Sequence, residues 1–117
     1  MELKLFDSEL KIMEILWEEG DMPAKEIAEK MKYSIGWSKT TTYTVIKKCI
    51  EKGAIQRIEP KFVCHPMATR EEIQQSETTE LINKMYDGAT DQLVALLIKN
   101  KRLSTDELNR LKKLINQ

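Results

Sequence analysis

The stretch Trp37 to Gly53, WSKTTTYTVIKKCIEKG, constrains the fold of this chain more than any other segment, because a helix start, an apolar stripe and a basic polar face occupy the same seventeen residues. Read as a helix from Ser38, it places Thr42, Val45, Ile46 and Cys49 at i, i+3, i+4 and i+7, the spacing that lines up side chains for burial. At about 100° per residue, Thr40, Thr44, Lys47 and Glu51 fall on the opposite side. Thr41 and Lys48 lie on one flank and Tyr43 on the other. One face is therefore predicted to enter a core and the other to stay free for binding.

The flanking sequence supplies the core. Phe6 and Asp7 precede a run from Ser8 to Glu19 with Leu10, Ile12, Met13, Ile15, Leu16 and Trp17. Asp7 suits the N-cap and Gly20 the C-terminal stop. Pro23 then opens a second predicted helix, where Ala24, Ile27, Ala28 and Met31 repeat at helical spacing. The segment Lys32 to Trp37 turns the chain into the third helix, which gives a helix-turn-helix. After Gly53, AIQRI and KFVCH read as two strands around Glu59 and Pro60, a hairpin placed as a wing. A hairpin in this position can touch backbone or minor groove while the preceding helix lies in a major groove.

Charge agrees with that placement. The 117-residue chain has a formal net charge of zero, which argues against a non-specific polycation. The balance is local. Residues 1–31 hold four basic side chains against nine acidic, a net −5, whereas residues 32–61 hold seven against two, a net +5. The second block contains Lys32, Lys39, Lys47, Lys48, Lys52, Arg57 and Lys61. Lysine neutralises phosphate without reading sequence, and threonine can hydrogen-bond a base edge or set its methyl against that of thymine. The same face is also compatible with an ordinary solvated helix surface.

Beyond Pro66, Thr69 to Glu72 has the S/T-x-x-E form of a capping box and begins a long helix to about Tyr86. Asp87 and Gly88 break it, Ala89 to Asn100 forms another, and Ser104 to Glu107 caps a last one. Leu81, Met85, Leu93, Leu96, Leu97, Leu108, Leu111 and Ile115 give these helices more apolar surface than three short elements can bury alone. A second copy of the chain is the expected cover, which predicts a homodimer. The fold class is thus mainly α with a small β-hairpin: a winged helix-turn-helix domain over 1–68 and a three-helix dimerisation domain over 69–117.

Other chemistries find little support. No nucleophile constellation, phosphate loop or metal motif is present, which argues against an enzyme and against a cofactor. Cys64 and His65 are strand neighbours pointing to opposite faces, and beyond them only Cys49 is available, so no tetrahedral metal set is expected. Two cysteines make no disulfide framework, and both are expected to be reduced. Glu18 and Glu19 are adjacent on a helix and do not face each other as an acid/base pair would. Trp17 is read as a core anchor, and Trp37 is left open between core and surface. The N-terminus has no signal-peptide pattern, and the longest apolar run, Leu93 to Ile98, is far short of the ~20 residues a membrane span needs, so a cytoplasmic protein is expected.

Taken in order, LKIMEILWEEG, PAKEIAEKM, WSKTTTYTVIKKCIEKGAI, FVCHPMATREE and LINKMYDGATDQLVALLIKN resemble the penicillinase-repressor family of bacterial transcription regulators along nearly the whole chain. The resemblance implies repression by a dimer bound to double-stranded, inverted-repeat operators. It implies base reading by Thr40, Thr41 and Tyr43, and phosphate contacts from Lys39, Thr44, Lys47 and Lys48, with Arg57 and Lys61 as wing candidates. Some members carry arginine where Tyr43 stands. In the β-lactam branch the resemblance further implies a membrane-bound sensor protease that triggers cleavage of an Asn-Phe bond in the tail; the aligned residues here are Leu96 and Leu97. The copper-responsive branch has a cysteine-rich tail, and this chain has no cysteine after Cys64. Two alternatives stay open: a winged-helix module whose basic face meets an acidic protein, and a DNA-binding regulator controlled by a small ligand.

Overall fold

The computed structural model describes residues 3–117; Met1 and Glu2, with which the first expected domain begins, lie outside the described residues. The chain divides into a first compact unit ending at Glu77 and a second, Thr78–Gln117. Six helices and three strands occur among the described residues.

In the first unit, α1 (Asp7–Glu19), α2 (Ala24–Ile35) and α3 (Lys39–Glu51) surround one core, and β1 (Met22–Pro23), β2 (Ile55–Ile58) and β3 (Val63–Pro66) form an antiparallel sheet in the order β1-β3-β2. The core draws Ile12, Met13 and Leu16 from α1, Ile27 and Met31 from α2, Ile46 and Cys49 from α3, and Ile55 and Cys64 from the hairpin. The four stripe residues of α3, Thr42, Val45, Ile46 and Cys49, are all buried, as their spacing predicts. Thr42 is the polar member, and its hydroxyl donates to Ser38 O at 3.2 Å, so its burial costs little. Trp17 is half-buried, packs on this core, and donates its indole N–H to Ala68 O at 2.8 Å; Trp37 also packs against the core.

Three details of the helix ends depart from the sequence reading. Helix α1 begins one residue early: Phe6 is the N-cap and Asp7 is already in the first turn. The reason is Glu9, whose Oε1 accepts from Phe6 N at 2.7 Å and closes the helix start from within. Pro23 opens α2 from the N-cap position and not as its first helical residue. It pairs with Val63 in the edge strand β1, where a residue without an N–H is tolerated, and the helix starts at Ala24. Finally, α2 runs through Lys32–Ile35 before turning. Its apolar stripe ends at Met31, but the backbone ladder continues to Gly36, where φ is 78°. Glycine adopts that left-handed geometry without a Cβ penalty, and Gly36 N donates to Lys32 O.

Buried Glu9 also accepts from Lys52 Nζ at 2.6 Å. Lys52 is the C-cap residue of α3; its ammonium bonds Lys4 O at 2.9 Å and lies 4.1 Å from the Phe6 ring centroid. One ion pair thus ties the start of α1 to the end of α3.

The second unit contains the end of α4 (Arg70–Met85), α5 (Thr90–Lys99) and α6 (Thr105–Ile115). Thr69 Oγ1 accepts from Glu72 N at the start of α4, and Ser104 with Glu107 forms a complete capping box on α6, lowering the Glu107 pKa through its bonds from Ser104. No residue of α5 or α6 is buried. No helix among the described residues is long and apolar enough to cross a membrane.

Two tests follow from this packing. Lys52→Ala leaves the Glu9 carboxylate in the interior without its counter-charge, and stability is expected to fall by about 3 kcal/mol, the lower end of the range for such breaks because Lys52 keeps some solvent contact. Replacing both residues by methionine should recover most of the loss, read as urea midpoints; equal losses in the single and double variants would overturn the ion-pair account. The second test concerns the thiols. Burial pushes Cys49 up to about 12, with the Glu9 charge adding to it, and burial pushes Cys64 up to about 11. An unfolded thiol ionises near 9.0, so above that pH the native state holds more protons than the unfolded state and stability falls as pH rises. Urea midpoints from pH 8 to 10.5 should decline less steeply for Cys49→Ala/Cys64→Ala than for the unchanged chain.

Candidate nucleic-acid interface

Helix α3 owes its position to its two ends. At the start, Ser38 is the N-cap, and its Oγ accepts from Thr41 N at 3.1 Å while donating to Thr41 Oγ1 at 2.9 Å. At the other end stands the Lys52–Glu9 pair. With the apolar stripe turned into the core, Lys39, Thr40, Tyr43, Thr44 and Lys47 line an open groove of about 520 Å³. Thr41, Lys48 and Glu51 are exposed on the same helix outside it.

The hydroxyls on this face are not equivalent. Thr44 Oγ1 donates to Thr40 O at 2.9 Å, so its proton is engaged and its free capacity is as an acceptor. Thr41 Oγ1 accepts from Ser38, so its own proton remains to donate. Tyr43 is half-buried, with the Lys39 ammonium 5.8 Å from its ring centroid.

The wing meets this face through a residue that the sequence reading did not single out. Phe62 stands T-shaped to Tyr43, ring centroids 5.8 Å apart and planes at 78°. The Arg57 guanidinium lies 3.7 Å from the Phe62 centroid and pairs with Glu59. Phe62 adopts a left-handed φ of 51°, and its carbonyl accepts from Ala24 N at 2.9 Å, one of the amides at the start of α2 that has no partner within the helix. The charge pattern marked Arg57 but gave no sign of its aromatic seat. Position 62 reads from sequence as an ordinary strand aromatic, whereas it precedes β3 in the turn that also holds exposed Lys61.

Two further lysines join the site. Lys25, Ala28, Glu29, Lys32 and Lys39 line a second depression of about 200 Å³, which shares Lys39 with the groove on α3. Lys25 and Lys32 are seven residues apart on α2, so helical spacing could have found them. Lys52, in contrast, is counted in the basic block of residues 32–61 yet spends its charge inside the fold. Of the expected positions, Lys39, Thr40, Tyr43, Thr44 and Lys47 come together in one groove, Arg57 is joined to them through Phe62, and Thr41, Lys48 and Lys61 are exposed outside it. No group of His, Cys, Asp or Glu suited to hold a metal occurs among the described residues.

Comparison with known proteins is consistent across sequence and fold. The family model for the penicillinase repressor matches residues 5–117. The chain is 23% identical over 116 residues to the penicillinase repressor of Bacillus licheniformis, covering 97% of this chain and 91% of that protein. It is 27% identical over 116 residues to the methicillin resistance regulatory protein MecI of Staphylococcus aureus (strain N315), covering 97% and 94%. Among solved structures, the DNA binding domain of the repressor BlaI superposes with a TM-score of 0.56 at 23% identity, over 62% of this chain and 90% of that one. The B. licheniformis BlaI monomeric form in complex with the blaP half-operator gives 0.55 at the same identity and coverage. These two likenesses concern the fold alone.

Proposed function

The chain belongs to the penicillinase repressor family, and from that membership we propose that it is a dimeric, sequence-specific DNA-binding repressor of transcription, acting in the cytoplasm by binding and without a reaction of its own. The observation that carries this reading is the exposed face of α3, where hydroxyls and lysines converge on one groove beside a wing. In the bound state α3 lies in a major groove with Thr40, Thr41 and Tyr43 toward base edges. Thr41 offers a proton to an acceptor such as guanine O6 or thymine O4, whereas Thr44, whose proton is engaged by Thr40 O, has only a lone pair to offer and so suits a base amino group better than the phosphate first expected for it. Lys39, Lys47 and Lys48 neutralise phosphates, joined by Lys25 and Lys32 on the α2 side and by Arg57 and Lys61 on the wing side.

The second unit supports the dimer. Helices α5 and α6 carry Leu93, Leu97 and Leu108, which are only half-buried, and Leu96, Leu111 and Ile115, which are exposed. Leu81 and Met85 on α4 are likewise exposed. Burying a leucine-sized side chain fully is worth about 1.5–3 kcal/mol, so a second copy laid on this surface gains enough to offset the cost of association. A two-fold dimer sets two α3 helices on successive major grooves about 34 Å apart, which requires an inverted-repeat site. A sensor protease cutting between Leu96 and Leu97 would split α5 and divide this stripe.

In vitro selection on random duplexes at near-physiological salt should enrich an inverted repeat. Thr41→Ala is expected to lose about 5-fold of the discrimination at one position per half-site, the worth of one hydrogen bond. Lys47→Ala should weaken all sequences alike and reduce the slope of log affinity against log salt by ~0.9 for each phosphate it no longer neutralises. Recovery of unselected duplexes would favour the protein-interaction module instead. The purified 13.6 kDa chain should sediment as a dimer at micromolar concentration, and Leu96→Asp/Leu111→Asp as a monomer; a monomeric unchanged chain would overturn the dimer.

A further inference from the structure

The surroundings of Phe62 point beyond a structural role. Its ring is the one group that touches both a recognition-helix residue, Tyr43, and a wing residue, Arg57, among the ring contacts of the described residues. Its backbone is held as firmly as its ring. A non-glycine residue at φ 51° occupies a sparsely populated region, and the bond from Ala24 N to its carbonyl keeps it there. The side chain is therefore aimed by the backbone toward α3. Tyr43 in turn has the Lys39 ammonium over its ring, so Lys39, Tyr43, Phe62 and Arg57 form one continuous run from α3 into the wing.

We propose that Phe62 is a positioning residue for specificity: it sets the Tyr43 ring on the major-groove side and the Arg57 guanidinium on the wing side as a single reading unit. The inference rests on the DNA-binding reading and adds to it a coupling between two parts of the operator. Four physical points support the assignment. A T-shaped aromatic pair has a preferred geometry and resists rotation of either ring. A guanidinium 3.7 Å from a ring centroid is restrained by the cation–π contact, and Glu59 pairs with the same group through its Nε. Arg57 keeps hydrogen-bond donors available beyond its Nε, which is engaged with Glu59. Finally, leucine at position 62 would keep the backbone bond to Ala24 and much of the apolar packing while removing the ring geometry on both sides.

The test is the operator profile of the full chain, taken by selection and then by equilibrium binding to the enriched site. Tyr43→Phe first identifies the base pair whose preference depends on the Tyr43 hydroxyl. Phe62→Leu should then reduce discrimination at that base pair by about 3–10-fold, although residue 62 lies on the wing side. Phe62→Tyr, which retains the ring, should restore it; restoration distinguishes positioning from general loss of the fold. In the Phe62→Leu background, Arg57→Gln should cost less affinity than in the unchanged chain. A second cycle leaves Phe62 in place: Tyr43→Phe and Arg57→Gln should combine non-additively, by more than the ~2-fold expected of independent sites. An enriched site with the same profile in Phe62→Leu, together with additive Tyr43 and Arg57 effects, would overturn the proposal while leaving the repressor reading intact. Failure of the unchanged chain to enrich any site would remove the DNA-binding reading, and the proposal with it.

Discussion

Lys52 enters the interior at the C-terminal end of α3 and meets the Glu9 carboxylate, which also receives the amide of Phe6, the N-cap of α1, on the same oxygen. Everything the binding face does depends on where this pair holds its helix. The apolar stripe decides how α3 is rotated about its own axis, since Val45, Ile46 and Cys49 have only one side on which to find the core. Rotation alone leaves the helix able to slide lengthwise. The ion pair opposes sliding at one end, and the Ser38 cap with the Gly36 turn opposes it at the other. The second Glu9 oxygen, Oε2, is buried without a hydrogen-bond partner among the described residues, so the pair is costly as well as directional.

The wing is attached to this frame on both sides of its central strand. Its central strand β3 pairs with β2 on one side and with the two residues of β1 on the other, so the hairpin is continued into the start of α2. Phe62 adds a carbonyl to the α2 amide and a ring to α3. Farther along, Trp17 reaches Ala68 O, and Arg70 pairs with Glu14 at 2.9 Å and faces the Trp17 ring at 5.6 Å. The segment leaving the wing is thereby fastened to α1.

Much of this was legible because it is periodic. The stripes of α1, α2 and α3 follow helical spacing, the breaks at Gly20, Gly36, Gly53 and Gly88 all carry the positive φ that glycine permits, and the two tail capping sequences act as caps. The exposed positions of α3 followed from the same arithmetic. What escaped was non-local or non-periodic. A two-residue strand such as Met22–Pro23 has no alternation to detect and exists because β3 offers it a partner. The last turn of α2 carries no buried residue after Met31, so nothing in its pattern announces that it continues. Lys52 looks like any basic residue beside a basic helix; its inward turn depends on a glutamate 43 positions earlier. Phe62 is the same kind of case, since its partners come from two other elements.

The tail offers a different lesson about how such a protein responds to supply. Helices α5 and α6 bury no residue fully within their own chain and leave Leu96, Ile98, Leu111 and Ile115 exposed, so in the proposed dimer much of their apolar contact comes from a partner. Pairing then follows the square of the free subunit concentration, and halving the subunits lowers the dimer about fourfold in the dilute regime. Gene dosage, dilution at cell division and turnover of the polypeptide would all be magnified before they reach the operator. The bare leucines of the tail thus make the amount of protein, and not only its shape, an input to the switch.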